Sequence, residues 1–165
     1  MRVVLACFGK LKTPGLREAA DHYLKLARPW IQVEELELKP LPVPDKSPAT
    51  RKRIQDEEGS LLLSRLEGKL GERGVFFLLD EKGKSMTTAD WAAKARSWES
   101  ESLTGLAFCV GSSLGFSAEV RERSKGSLSL GPQTLAHEVA RVVLLEQLYR
   151  AWSVVRGHPY HNEGA

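Results

Sequence analysis

Three runs of uninterrupted apolar residues, Val3–Phe8, Val75–Leu79 and Leu106–Val110, recur along this chain, each bounded by turn residues. A run of five or six residues with no polar alternation needs cover on both faces, as a strand has inside a parallel sheet layered between helices. The intervening segments carry helix signals. Thr13 followed by Pro14 predicts an N-cap with proline at the first helical position, opening a helix to about Ala27; Ser47 and Pro48 repeat the signal for a charged helix ending near Leu70. Gly59 weakens that second helix locally. Ile31 to Leu38 alternates as a strand, and PLPVPDKSP (40–48), with four prolines, is a loop. Further helices are predicted from Thr88 to about Glu101 and from Ser117, a short strand from Ser127 to Leu130, and a long last helix from Glu138 to Arg156. The order βαβαβαβαβα predicts an α/β fold, a mainly parallel sheet with helices on both faces. At 165 residues and 42% hydrophobic, residues 1–165 fit a single domain.

Several function classes fall away. MRVVLACFGK is too short for a signal segment and far short of a membrane span of ~20 residues, so a cytoplasmic protein with no membrane partner is expected. Cys7 and Cys109 lie within apolar runs without CxxC or Cys/His spacing and read as small buried hydrophobes; no metal site is expected. A net charge of +3, from 24 basic and 21 acidic residues, leans only weakly toward polyanions. Basic residues cluster at Arg51–Arg53 and at Arg121, Arg123 and Lys125, both among acids, and at Arg150, Arg156, His158 and His161, where no acid follows until Glu163.

Ligands of open α/β sheets sit beyond the carboxyl ends of the strands, which directs attention to DEKGK (80–84), GSSLG (111–115) and SLGPQT (129–134). Gly83, Gly111, Gly115 and Gly131 offer positive φ or close backbone approach there. Gly83-Lys84-Ser85 is not the end of a P-loop, because Leu78 stands where the first glycine belongs. There is no GxGxxG, and Ser112 and Ser113 of GSSLG come without a convincing nucleophile elbow; a serine there assisted by a histidine stays open as a hydrolytic alternative. In the last helix Glu146, Arg150 and Ser153 share one face, surrounded by Val142, Val143, Leu144, Leu145, Leu148, Trp152, Val154 and Val155. So apolar a helix calls for a second partner besides its own sheet, and a second subunit resting on Trp152 and Val155 is expected.

Gly9-Lys10, LDEKGK (79–84), FCVGSSLG (108–115), SLGPQTLAH (129–137) and LLEQLYRAWSVVRGHPYH (144–161), in this order over essentially the whole chain, resemble the large-subunit ribosomal RNA pseudouridine N3-methyltransferases, the RlmH type of the SPOUT class. The resemblance implies a homodimer with a C-terminal trefoil knot in each subunit. It also implies S-adenosylmethionine as cofactor and, as substrate, a pseudouridine of the helix 69 loop on assembled ribosomes. Carried over by position, Leu79 lines the adenosine side, Gly111 sits in the middle loop, and Leu130, Gly131, Pro132, Gln133, Thr134 and Leu135 form the last loop. Ser112 and Ala136 depart from the family's usual glycine and proline. Glu146 and His161 are the candidate bases for the N3 proton, Arg150, Arg156 and His158 suit phosphates, and Tyr160 offers a ring to an unstacked base. Glu146, Arg150, Tyr160 and His161 are thus the catalytic candidates, and His137 is expected to be structural. Another RNA such as tRNA, or a noncatalytic ribosome-binding dimer, are the alternatives.

Overall fold

The computed structural model describes residues 1–158; Tyr160 and His161 lie outside the described residues. The elements follow the expected alternation: β1 Arg2–Phe8, α1 Pro14–Ala27, β2 Gln32–Leu38, α2 Pro48–Leu70, β3 Val75–Ser85, α3 Thr88–Ser100, β4 Leu106–Val110, α4 Ala118–Arg123, β5 Ser127–Ser129 and α5 His137–Val155. These strands form one sheet in the order β2-β1-β4-β3-β5, with every pairing parallel. β1 and β4, the fully apolar runs, occupy its interior, where both faces are covered.

Strand pleating divides the core in two. Val3, Leu5 and Cys7 of β1 face α1, α3 and α5 together with Phe77 and Phe108, and there the rings of Trp91, Trp98 and Trp152 pack. Val4, Ala6 and Phe8 face the other way, onto Leu62 and Leu66 of α2 and Val120 of α4. Both cysteines are buried and free, and burial pushes the Cys7 thiol up to about 12. Gly59, which weakens α2 by propensity, has a packing reason: a Cβ there would lie 2.4 Å from the Ser117 hydroxyl.

β1 hands the chain leftward to β2 through α1, whereas β4 hands it rightward to β5 through α4 on the opposite face. The gap beyond the carboxyl ends of β1 and β4 is therefore the switch point of this sheet, where neither connection fills the space.

Two expectations are corrected, and the N-cap expected at Thr13 stands with its hydroxyl bonded elsewhere. DEKGK is not a turn ending a short strand, since β3 runs on to Ser85 with a shift of register in which Leu79 and Lys84 both face Leu128 of β5. Asp80–Gly83 forms the bulge between them, and Gly83 lies so near the β5 backbone that a Cβ would sit 2.6 Å from the Ser127 carbonyl carbon. Thr13 stands at the N-cap of α1 without a side-chain cap bond; its hydroxyl instead donates to Glu138 at 2.6 Å. Trp152 does not offer itself to a second subunit. It is fully buried in its own chain, stacked on Trp98 at 6.2 Å, with its indole N–H on Glu99 at 2.9 Å.

Candidate functional site

A cavity of about 800 Å³ opens beyond the carboxyl ends of the strands, within the range of about 300–1,000 Å³ usual for small-molecule sites. Phe8 of β1 and Gly9 after it, Leu79 of β3 with Asp80–Lys82 of its bulge, Val110 of β4 with the segment to Phe116, and Leu130–Gly131 with Gln133–Ala136 after β5 and His137 of α5 line it, so the three glycine segments do converge. Of the expected cofactor residues, Leu79, Gly111, Leu130, Gly131, Gln133, Thr134 and Leu135 line the cavity; Pro132 does not. Arg51 at the start of α2 and Arg121 of α4 complete its wall.

Each loop is fixed by a different device. In the bulge, Asp80 accepts from the Lys82 N–H at 2.9 Å and from Arg121 at 2.9 Å, and these contacts hold its carboxyl below the usual range. Glu81 reaches across to the Thr134 hydroxyl, tying the bulge to the last loop. That loop turns at Gly131, whose φ of +143° excludes most side chains, and the Ser129 hydroxyl accepts from the Gly131 N–H at 3.1 Å. In the middle loop Ser112 and Gly115 close a bridge on themselves. Gly111 is favoured by space rather than by φ, because a Cβ would come within 3.2 Å of the Phe116 ring, which would have to give way. The Ser112 departure creates a bond rather than a gap, since its hydroxyl donates to buried Glu58 at 2.6 Å. Ala136 stands at the N-cap of α5 without a side-chain bond.

The first turn of α5 is fastened to the segment after β1. Glu138 accepts from the Thr13 hydroxyl and from the N–H groups of Lys12 and Thr13, which pull its carboxyl down to about 2. One turn on, Arg141 is fully buried and donates to Glu35 at 2.6 Å and Glu37 at 3.0 Å, while Arg17 also holds Glu35 at 2.9 Å. The His137 ring lies against Gly9, where a Cβ would meet it at 2.8 Å, and it lines the cavity beside Ala140. A histidine expected to be merely structural thus forms part of the cavity wall.

The expected catalytic pair is elsewhere in the subunit. Glu146 and Arg150 do form their ion pair, with the Arg150 Nε at 2.8 Å, but neither lines the cavity. At a rise of 1.5 Å per residue they lie about 9 and 15 Å along α5 from Ala140. Ser153 is buried rather than part of their half-buried stripe, donating to the Arg150 carbonyl at 2.7 Å. Arg156 is paired with Glu99 at 2.6 Å, and His158 packs edge-on against Trp30. Sequence reasoning also missed Gln55, Glu58 and Arg141. Gly59 inside α2 signalled only a close neighbour, which is Ser117 and Val120 at the start of α4, and not the bonds of Gln55 and Glu58 to Leu114 and Ser112. Arg141 gave no signal, its acidic partners lying on β2 over a hundred positions earlier.

A family model described as "Predicted SPOUT methyltransferase" matches residues 1–161. A Symbiobacterium thermophilum protein named ribosomal RNA large subunit methyltransferase H is 36% identical, over 98% of this chain and 99% of its own. A Maridesulfovibrio salexigens protein of the same name is 38% identical, over 93% and 94%. Among solved structures, the SpoU methyltransferase AviRb from Streptomyces viridochromogenes, crystallised with its cofactor AdoMet, aligns at a TM-score of 0.43 and 12% identity. The alignment covers 98% of this chain and 61% of that one. With a family model spanning nearly every residue and relatives above one third identity along their full length, the chain belongs to the SPOUT methyltransferase family.

Proposed function

We propose that this protein transfers a methyl group from S-adenosylmethionine to N3 of a pseudouridine in large-subunit ribosomal RNA, in the helix 69 loop of assembled ribosomes. The observation that carries the reading is the cavity at the sheet's switch point, walled by the β3 bulge and the loops after β4 and β5, the three segments that the resemblance assigns to the cofactor. Its chemistry fits that ligand. Leu79, Val110, Leu130 and Leu135 give an apolar wall for an adenine ring, and the main chain at Gly111 and Gly131 allows a ligand to approach backbone donors and acceptors. The names of the relatives, all for large-subunit ribosomal RNA methyltransferases, point to the substrate.

When bound, S-adenosylmethionine supplies an activated methyl that the pyrimidine nitrogen takes by in-line displacement as the carbon–sulfur bond breaks, so positioning carries most of the rate. The chain's own task is to align the two reactants and receive the N3 proton. Tyr160 stacks on the unstacked base, His161 or Glu146 takes the proton, and Arg150, Arg156 and His158 meet phosphates. Because Glu146 and Arg150 sit two to three turns from the cavity of their own subunit, these groups act in a homodimer, where one chain's tail completes its partner's cavity. The half-buried row Val139, Val142, Val143, Glu146, Gln147, Arg150 and Val154 along α5 is the proposed contact. We also assign to the C-terminal half the trefoil knot of the class.

The reading is tested by incubating the purified protein with ribosomes or tRNA and labelled S-adenosylmethionine, then locating the label by mass spectrometry. Methylated pseudouridine in large-subunit RNA is expected, and label in tRNA alone moves the substrate. Deleting residues 158–165 leaves dimer mass and cofactor binding nearly intact while ribosome methylation falls sharply. A Gly111→Val change blocks the cofactor in calorimetry. A protein that binds ribosomes but takes up no cofactor is the noncatalytic dimer.

A further inference from the structure

Helix α2 turns one stripe toward the cavity. Arg51, Gln55, Glu58, Gly59 and Leu62 fall at i, i+4, i+7, i+8 and i+11 on a single face. Arg51 lines the cavity, Leu62 is core, and the residues between them grip the segment after β4. Gln55 Nε2 donates to the Leu114 carbonyl at 2.5 Å, and one Glu58 carboxyl oxygen accepts the Ser112 hydroxyl at 2.6 Å. The other Glu58 oxygen accepts the Leu41 N–H at 2.9 Å, from the proline-rich loop before α2. The same Ser112 oxygen accepts the Leu114 N–H at 3.3 Å, so a single hydroxyl joins the loop's own turn to the helix.

Glu58 is only 3% exposed. A carboxyl group is a costly thing to bury for stability alone. What a fully bonded polar group adds is a unique arrangement of what it holds. Here it holds residues 111–115, a segment with two glycines that also closes on itself through the Ser112–Gly115 bridge.

We propose that Glu58, acting through Ser112, with Gln55 acting through Leu114, positions the 111–115 loop in its ligand-binding conformation, making α2 a determinant of cofactor affinity. This rests on the reading of the cavity as the S-adenosylmethionine site. An anchored loop has already lost the freedom that binding would otherwise cost.

Calorimetric titration of the full chain with S-adenosylmethionine, paired with thermal melts, decides it. Binding by the parent protein establishes the cavity's ligand; a parent that does not bind removes that reading and this one together. Given parent binding, Ser112→Ala weakens affinity about tenfold, the loss of one strong hydrogen bond, while the melting midpoint scarcely moves, and Ser112→Thr restores affinity. Glu58→Ala weakens affinity at least as much, and the double variant loses less than the sum of the two single losses, because the two residues share the Ser112–Glu58 bond. Parent-like affinity in Ser112→Ala, or losses that add in the double variant, overturns the proposal. A lowered midpoint at unchanged affinity does so too, since it reduces Glu58 to a support of the fold. Should Glu58→Ala fail to fold, the Ser112→Ala and Ser112→Thr pair still decides between the two outcomes.

Discussion

The first turn of α5 is fastened by Glu138 to the N–H groups and hydroxyl of the segment after β1, and by Arg141 to Glu35 and Glu37 on an edge strand. Its last turns are fastened by rings: Trp152 on Trp98, Tyr149 stacked on Trp30 at 5.6 Å, and Trp98 against Phe77 and Phe108. The contrast follows from what each end meets. Where the strands stop, backbone groups lose their ladder partners and need acceptors, so charge and hydroxyls collect there. Farther along, α5 lies flat on α3 and the sheet, and apolar area does the holding. The cavity sits at the polar end, where geometry is set by bonds that one substitution can remove without dissolving the core.

That difference predicts unequal losses. Trp152→Ala removes the largest ring on the apolar end and should cost about 3–5 kcal/mol, lowering the melting midpoint by roughly 10 °C. A similar fall in Trp152→Glu would report unfolding, not loss of a subunit contact. A midpoint within a degree or two of the parent would show that the rings contribute far less than their burial implies.

Arg141→Met probes the polar end at its most buried point. Removing one member of a buried pair costs ~3–5 kcal/mol, and about 2–3 kcal/mol is expected here because Glu35 keeps Arg17 and Glu37 keeps the Leu11 N–H at 3.1 Å. Arg141 lies beneath the Gly9 segment that lines the cavity, with its guanidinium 3.5 Å from the Gly9 carbonyl. Cofactor affinity should therefore fall in this variant and stay unchanged in any Trp152 variant that still folds. Equal effects on affinity would abolish the distinction between the two ends.

Much of the sheet was legible because its cues are local. Continuous apolar runs marked β1 and β4, proline after a small polar residue marked α1 and α2, and glycines at strand ends marked the cavity. The β3 bulge was not legible, because DEKGK satisfies every local rule for a turn and only pairing with β5 across the sheet extends the strand. Trp152 misled for a related reason. A helix apolar on several faces reads as an interface until the rings of α3 and the sheet are placed against it, and those partners lie far off in sequence. Thr13 and Glu138, which bond across 125 positions, belong to the same class of nonlocal pairs.

Gly83→Ala sharpens the comparison within the site itself. A Cβ at 2.6 Å from β5 main-chain atoms forces the bulge away from the strand, a misfit of roughly 1–3 kcal/mol. Asp80, Glu81 and Lys82 line the cavity, so affinity for the cofactor should drop along with stability. A stable Gly83→Ala protein with unaltered affinity would mean that the bulge's position does not matter to the ligand.

The smallest effect is expected at Glu138, and pH isolates it. Its carboxyl falls from an ordinary value of 4.5 to about 2, chiefly through the Thr13 hydroxyl and then the Lys12 and Thr13 N–H groups. A carboxyl depressed on folding stabilises the folded state above its unfolded value, and the contribution drains away as pH drops toward the folded one. Glu138→Gln should therefore melt slightly below the parent at pH 7, with the gap constant down to about 4.5 and closing as pH approaches 2. Because the group is exposed, the shift should be well under that of Arg141→Met. A gap that persists unchanged at about pH 2 would show that the glutamine amide fails at this position for reasons of shape. Charge at the start of α5 would then not be what ties the helix to the segment after β1.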